Sequence, residues 1–216
     1  MKSKYSKELK NLILIGAGGH ARSSIDVIED SNGYNILGLI GKTNEIGRQV
    51  MGYSVIDDDN DLAKVISSLE NKHGDLEGII TVGQIKSYEA RASLYKKLLD
   101  LKKVSKAIIS SRSYVSRSAE ILKGTMIFHG VIVNANARIK ENTIINSKAL
   151  IEHDSQVGSH CHISTDVTIN GGVLVGNGTF IGSGSIIKEG VKIGSNCIIG
   201  MGQKIMNDIE DNTIYK

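Results

Sequence analysis

The 216-residue chain contains no tryptophan, no proline and only two cysteines, and aromatic residues make up 4% of it. Cys161 and Cys197 form no CxxC pair, so the sequence predicts neither a disulfide framework nor a zinc cage. No run approaches the roughly 18 apolar residues of a membrane span, and the N-terminus lacks the apolar core of a secretory signal. We therefore expect a cytoplasmic protein. A net charge of +3 and few aromatics to stack bases give no reason to expect nucleic-acid binding.

The chain does have a six-residue period. Every sixth residue from Val115 to Ile205 is aliphatic, which makes sixteen positions in succession. Neither an α-helix nor an alternating strand produces this period. A small or β-branched residue stands four positions after most of them. Five later copies have glycine directly after the aliphatic residue: Gly158, Gly176, Gly182, Gly194 and Gly200. We expect these glycines to supply the backbone freedom for tight corners.

This hexapeptide repeat resembles that of the left-handed parallel β-helix acyltransferases. In that family three hexapeptides close one triangular coil, so the resemblance implies about five coils for the sixteen repeats. The aliphatic side chains would fill the interior, and residues three repeats apart would stack on neighbouring coils. A repeat that serves only as a scaffold is the alternative.

The residues before the repeats alternate between short apolar runs and stretches with helical spacing. Strands are predicted at 11–15, 34–40 and 78–82, and helices at 21–30, 62–69 and 87–101, with an acidic turn at 57–61 capping the second helix. This alternation predicts a small Rossmann-like parallel α/β sheet. We therefore divide the chain into an α/β domain at 1–108 and a β-helix domain at 109–216.

A glycine-rich turn follows the first predicted strand, and it contains Gly16, Gly18, Gly19 and His20. At such a turn, backbone amides and a helix N-terminus face a phosphate group. A dinucleotide-binding fold also needs an acidic residue at the end of the second strand, but this strand ends at Gly41-Lys42 with no acid before Glu45. We therefore reject NAD and expect a mononucleotide or sugar-nucleotide pocket. A turn needed only for packing is the alternative.

A second glycine turn, TVGQ, contains Gly83 and follows a later strand of the same sheet. Parallel strands bring their carboxyl ends to one edge of a sheet. We therefore expect Gly83 to line the same pocket as the first turn.

Three histidines stand within ten residues of one another: His153, His160 and His162. They hold different positions in the repeat, so their side chains would point in different directions and we expect no metal site. His153 is followed by Asp154 and would stack, one coil further on, against Gly171. Adjacent strands lie about 4.8 Å apart, so the imidazole and the Gly171 N–H could address the same small group.

Acyl transfer from a thioester needs such a pair, because a base must take a proton from the attacking group and an N–H must stabilise the oxyanion. A neighbouring carboxylate, Asp154 or Glu152, would fix the tautomer of His153 and raise its basicity. A histidine that merely points from an exposed coil face is the alternative.

The GAGGHA turn joined to a hexapeptide helix resembles the acetyl-CoA-dependent acetyltransferases of bacterial surface sugars. Two subgroups share this plan, the UDP-4-amino-sugar (bacillosamine-type) N-acetyltransferases and the sialic acid O-acetyltransferases. The resemblance implies that His153 is the catalytic base with Asp154 beside it, and that the GAGGH turn grips the nucleotide of the sugar substrate. It also implies a homotrimer with active sites between neighbouring helices. The acetyl-CoA contacts that it implies are His162, Gly171, Gly182 and Ser183.

The leading hypothesis is direct transfer of acetyl from acetyl-CoA to the amine of a nucleotide-linked amino sugar, in surface glycan or glycoprotein synthesis. Sialic acid O-acetylation with the same residues is the first alternative. A non-catalytic regulatory trimer in polysaccharide synthesis and a transferase with another acyl donor are two further alternatives. Many UDP-sugar members end the second strand in aspartates, whereas this chain has Gly41-Lys42, so the nucleotide stays open.

Overall fold

The structure is a computed structural model that describes residues 9–216. Its first part is a five-stranded sheet flanked by three helices. The strands are β1 (Lys10–Ile15), β2 (Tyr34–Gly41), β3 (Gln49–Val50), β4 (Tyr53–Asp58) and β5 (Leu76–Ile80), and the helices are α1 (Gly19–Ser31), α2 (Leu62–His73) and α3 (Glu89–Asp100). The order across the sheet is β3-β4-β2-β1-β5, and only the β3–β4 pair is antiparallel.

Strand β1 is apolar along most of its length because helices cover both faces of a parallel sheet and bury its side chains. Residues 12–15 are all buried. The acidic turn caps α2 as expected, since the Asp61 side chain accepts a hydrogen bond from the Lys64 N–H at 3.1 Å. Strands β3 and β4 were not predicted. Asp57 and Asp58, which the sequence places in the turn, instead end β4.

The second part consists of eighteen two-residue strands in three parallel sheets of six, five and seven strands. Their bounds are β6 (Ile108–Ile109), β7 (Tyr114–Val115), β8 (Glu120–Ile121), β9 (Met126–Ile127), β10 (Ile132–Val133), β11 (Arg138–Ile139), β12 (Ile144–Ile145), β13 (Leu150–Ile151), β14 (Gln156–Val157), β15 (His162–Ile163), β16 (Thr168–Ile169), β17 (Leu174–Val175), β18 (Phe180–Ile181), β19 (Ile186–Ile187), β20 (Lys192–Ile193), β21 (Ile198–Ile199), β22 (Lys204–Ile205) and β23 (Ile214–Tyr215).

The register confirms the β-helix. Val133 pairs with Ile151, Ile151 with Ile169 and Ile169 with Ile187, and all four side chains are fully buried. The eighteen strands make about six coils rather than five, because β6 and β23 extend the repeats at both ends. The predicted domain division at 108/109 falls between the two residues of β6, which already pairs with β9.

The expectation that the glycines after the aliphatic residues provide corner flexibility was wrong. Those glycines have no left-handed backbone; the corner residues two positions later do, for example His160 with φ +58° and Gly178 with φ +69°. The glycines directly after the aliphatic residues instead allow neighbouring coils to approach closely. A Cβ added at Gly158 would lie 2.8 Å from the backbone nitrogen of Asn177 on the next coil.

The α/β domain packs on the seven-stranded sheet of the β-helix through α1, which lies against β6, and through Arg91 of α3. Arg91 is fully buried there, and its guanidinium donates to the carbonyls of Ile80 (2.7 Å), Val82 (2.9 Å) and Asn142 (3.2 Å). Burial lowers the pKa of Arg91 to about 9, which still leaves the side chain charged at neutral pH. The carboxyl end of β5 is therefore fixed to the β-helix.

Candidate active site

His153 and Asp154 form a hydrogen-bonded pair at the corner that follows β13. His153 Nδ1 lies 2.8 Å from Asp154 Oδ2, and both side chains are exposed. The left-handed backbone of Asp154 turns its side chain back toward the preceding residue. Of the two candidate carboxylates, Asp154 is the one that contacts the ring; Glu152 instead accepts from the His153 backbone N–H at 3.3 Å.

The charge on Asp154 selects the tautomer of His153. Hydrogen bonds from His153 and from the Asn136 amide (3.3 Å) hold the pKa of the Asp154 carboxyl below its ordinary value. An ionised carboxylate only accepts hydrogen bonds, so Nδ1 carries the proton and Nε2 keeps its lone pair. His153 is thus arranged to accept a proton at Nε2.

Gly171 lies against the same ring, one coil further on. A Cβ added there would lie 2.8 Å from both Nε2 and Cε1 of His153, so only glycine fits without moving the imidazole. The next residue, Gly172, donates its N–H to the His153 carbonyl at 2.9 Å, whereas in the described part of the chain no acceptor takes the Gly171 N–H. His153 Nε2 and a backbone N–H without an acceptor in the described part of the chain therefore lie on adjacent coils at one corner of the β-helix, and acyl transfer requires a base and an N–H donor of this kind.

His160 and His162 point elsewhere. His160 Nδ1 accepts from the Asn142 amide at 2.8 Å, and its ring stacks on Tyr88. His162 is buried under the α/β domain, where Nδ1 contacts the Gln84 carbonyl at 2.6 Å and Nε2 faces the Asn146 amide at 3.3 Å. Both ring nitrogens of His162 therefore have partners within the chain, and its contact with acetyl-CoA stays a prediction.

Gly182 and Ser183 lie on the coil that follows the coil of His162. A Cβ at Gly182 would lie 2.5 Å from the Met201 nitrogen, so coil stacking already requires glycine there. Ser183 is exposed, and its hydroxyl lies 2.9 Å from that of Ser164. Their contacts with acetyl-CoA also stay predictions. Within residues 9–216, no three His, Cys, Asp or Glu side chains form a metal-binding group.

Neither cysteine is placed to act as a nucleophile. Both are fully buried in the β-helix interior, and Cys161 donates to the Gly176 carbonyl at 3.0 Å. Burial raises the pKa of Cys161 to about 12, so the thiolate is absent near neutral pH. The site thus favours direct transfer without an acyl-enzyme.

A cavity of about 530 Å³ opens at the carboxyl edge of the α/β sheet. It brings together all five residues of the two predicted glycine turns: Gly16, Gly18, Gly19, His20 and Gly83. Gly16 has φ +122°, and a Cβ there would lie 2.7 Å from the Val82 side chain. No atom lies within 4 Å of a Cβ built at Gly18 or Gly19, so the backbone at the start of α1 faces open space.

The first turn of α1 offers unpaired donors to that cavity. The N-cap residue, Gly18, provides no side-chain hydrogen bond, and no acidic residue occupies the first turn. The partial positive charge of a helix N-terminus then attracts an anion such as a phosphate. The sequence did not identify three further lining residues: Lys42, Glu45 and Asp59. Asp59 directly follows β4, so only recognition of that strand would have placed it at this edge.

The part of the chain that the structure describes has no helix long and apolar enough to cross a membrane.

Two family models match the chain. Residues 11–98 match the PglD N-terminal domain, and residues 172–202 match the bacterial transferase hexapeptide (six repeats). No curated protein matches. Both family matches agree with the resemblance found in the sequence.

Solved structures share the whole architecture. One is a perosamine N-acetyltransferase variant from Caulobacter crescentus in complex with CoA and GDP-perosamine; it is 26% identical over 97% of this chain and 95% of that chain, with a TM-score of 0.85. PerB from the same organism, with the same ligands, is 27% identical over 94% and 92%, with a TM-score of 0.83. The acetyltransferase domain of PglB from Neisseria gonorrhoeae, in complex with acetyl coenzyme A, shares the fold at 23% identity over 97% of both chains (TM-score 0.84).

Proposed function

We propose that this chain, in which a PglD-type N-terminal domain is joined to a hexapeptide-repeat transferase domain, transfers acetyl from acetyl-CoA to the amine of a nucleotide-linked amino sugar. The observation that carries the proposal is the His153–Asp154 pair facing Gly171. The structural neighbours that act on GDP-perosamine and bind CoA support it. The cavity at residues 16–20 supplies a place for the nucleotide.

In the proposed reaction, acetyl-CoA provides an acetyl group activated as a thioester. His153 Nε2 takes a proton from the sugar amine as the nitrogen attacks the carbonyl carbon, and Asp154 stabilises the imidazolium. The N–H of Gly171 donates to the carbonyl oxygen as negative charge develops there. Formation of the C–N bond then breaks the C–S bond, and the proton on His153 can pass to the departing thiolate.

We also propose a homotrimer with active sites between subunits. The six-stranded sheet, β7 to β22, carries an exposed apolar row on its outer face, with Tyr114 58%, Ile132 42% and Ile186 44% exposed. Exposed apolar patches mark association surfaces, and side-by-side β-helices would cover this one. His153 lies at the corner after β13 of the same sheet, next to that surface. Use of acetyl-CoA also favours a reaction in the cytoplasm.

The proposal is tested by measuring thiol release from acetyl-CoA with matched acceptors. One acceptor is a nucleotide-linked 4-amino-4,6-dideoxy sugar, the second is the same compound with a hydroxyl in place of the amine, and the third is free sialic acid. We expect release with the amine alone. Release only with the hydroxyl or with sialic acid would contradict N-acetylation, and acetyl-CoA binding without release on any acceptor would favour a regulatory protein.

The Gly171→Ala variant should lower kcat about a hundredfold while leaving the fold intact. The backbone at this position tolerates alanine, but the new methyl would push the exposed His153 ring away, and a displacement of about 1 Å costs that much in rate. The matched control is Gly33→Ala, whose methyl would meet nothing closer than 3.9 Å. Steady-state kinetics and thermal unfolding on both variants check this; an unchanged kcat in Gly171→Ala would contradict the site geometry.

A further inference from the structure

The end of β2 has no room for the acidic residue that a nucleotide-binding sheet often carries there. A Cβ at Gly41 would lie 2.9 Å from Glu45 Oε2 and 3.0 Å from Val55 Cγ1. Glu45 itself folds back against the chain: Oε2 accepts from the Lys42 N–H at 2.9 Å, and Oε1 pairs with Arg48 at 2.8 Å. The carboxylate nearest the end of β2 is therefore already paired.

An aspartate on the neighbouring strand's end lines the cavity instead. Asp59 directly follows β4 and lines the cavity. Its neighbours are engaged, since Asp58 accepts from Thr43 (2.7 Å) and from the Asn60 N–H (3.1 Å), and Asp57 accepts from the Asp58 N–H (2.9 Å). The Asp59 backbone carbonyl accepts from Lys97 at 3.0 Å. No donor among residues 9–216 reaches the Asp59 carboxylate, and the residue is partly exposed, so its oxygens are open to a donor on a ligand in the cavity.

The order of the strands determines which part of a nucleotide Asp59 meets. The glycine turn follows β1, β2 lies beside β1, and β4 lies beside β2. Two strand spacings, about 10 Å, therefore separate the phosphate-binding turn from the end of β4. A carboxylate repels phosphates, so a nucleotide whose diphosphate binds at the glycine turn would extend its base toward Asp59.

From this arrangement we propose that the nucleotide is guanosine diphosphate, with Asp59 accepting hydrogen bonds from N1–H and the N2 amino group of guanine. An ionised carboxylate has two oxygens that only accept, and guanine alone presents two adjacent donors on one edge. Uracil presents a single N–H between two carbonyl oxygens, and the carboxylate repels those oxygens. Adenine and cytosine place a bare ring nitrogen beside their amino group. This inference rests on the proposed function and replaces the UDP-type substrate that the sequence resemblance implied.

Calorimetric titration of the full chain with GDP, UDP, ADP and CDP tests the assignment. We expect GDP to bind roughly ten- to a hundredfold more tightly than each of the others, the range of one bidentate side chain–base pair. Asp59→Asn should abolish this preference by weakening GDP alone, because an amide presents one donor where guanine needs an acceptor. Asp57→Asn is the matched control, since that neighbouring side chain is exposed and does not line the cavity.

The outcomes separate the two proposals. A preference for UDP, ADP or CDP, equal binding of all four, or a GDP preference that survives in Asp59→Asn would overturn the guanine assignment and leave acetyl transfer standing. If none of the four nucleotides binds, the guanine assignment and the nucleotide-sugar part of the proposed function both fail.

Discussion

Replacement of His153 by alanine is expected to lower kcat for acetyl transfer by about 10²- to 10⁴-fold, the usual contribution of general acid–base catalysis. Asp154 holds Nδ1 of the imidazole by a hydrogen bond, which leaves Nε2, beside Gly171, as the nitrogen that can accept a proton. The amine nitrogen must lose a proton as it bonds to the carbonyl carbon, so attack needs a group that accepts that proton. The side chain is exposed, and its truncation leaves the core intact.

Steady-state kinetics should separate this role from substrate binding. We expect the dissociation constants of acetyl-CoA and of the nucleotide to change little in His153→Ala, because the phosphate-binding turn is formed by other residues. His73→Ala is the control, since His73 is exposed at the end of α2 and outside the site. A kcat within about threefold of wild type in His153→Ala would show that another group is the base.

The second large effect concerns stability in acid. Lowering the pH from 7.5 to 5 should reduce the free energy of unfolding by at least about 4 kcal/mol, about 2 each from buried His162 and partly buried His20, and His160, whose pKa burial also lowers, adds to the loss. Burial, with Arg91 adding to it, lowers the pKa of His20 to about 3, and burial lowers that of His162 to about 4. Below the ordinary pKa of 6.5 the unfolded chain takes up protons that the folded chain does not. Stability is therefore lost as the pH falls through 6.5.

Urea unfolding at fixed protein concentration measures this effect at pH 7.5, 6.5 and 5. Replacement of His162 by asparagine should remove about 2 kcal/mol of this loss, whereas His73→Ala should leave it unchanged because that side chain is exposed. Equal stability of the wild type at pH 7.5 and 5 would show that the two rings are not buried as neutral groups.

The periodicities in the sequence were sufficient to predict most of the fold. The six-residue period places the aliphatic ladder and, through the coil length, brings Gly171 against His153. The glycine turns could be assigned to one sheet edge because parallel strands share their direction. The β4 strand was missed because its partly buried residues run into an acidic sequence that also suits a turn, and the cavity residue Asp59 was missed with it.

Contacts between the two parts of the chain could not be predicted from periodicity. Arg91 looks like an ordinary helical residue, yet it is fully buried because α3 packs on the β-helix and three carbonyls surround its guanidinium. His162 likewise contacts the Gln84 carbonyl, which is 78 positions away in the chain. Such partners depend on how the elements pack in three dimensions, and repeat spacing carries no information about that.

In the proposed reaction the site acetylates an amine rather than a hydroxyl. The most direct measurement is the stability of the product formed from acetyl-CoA and a GDP-linked 4-amino-4,6-dideoxy sugar when it is treated with hydroxylamine, which cleaves acetyl esters and leaves amides intact. We expect a product that keeps its acetyl group, formed by the wild type and lost in His153→Ala. A product that hydroxylamine deacetylates, or one formed equally well without His153, would contradict it.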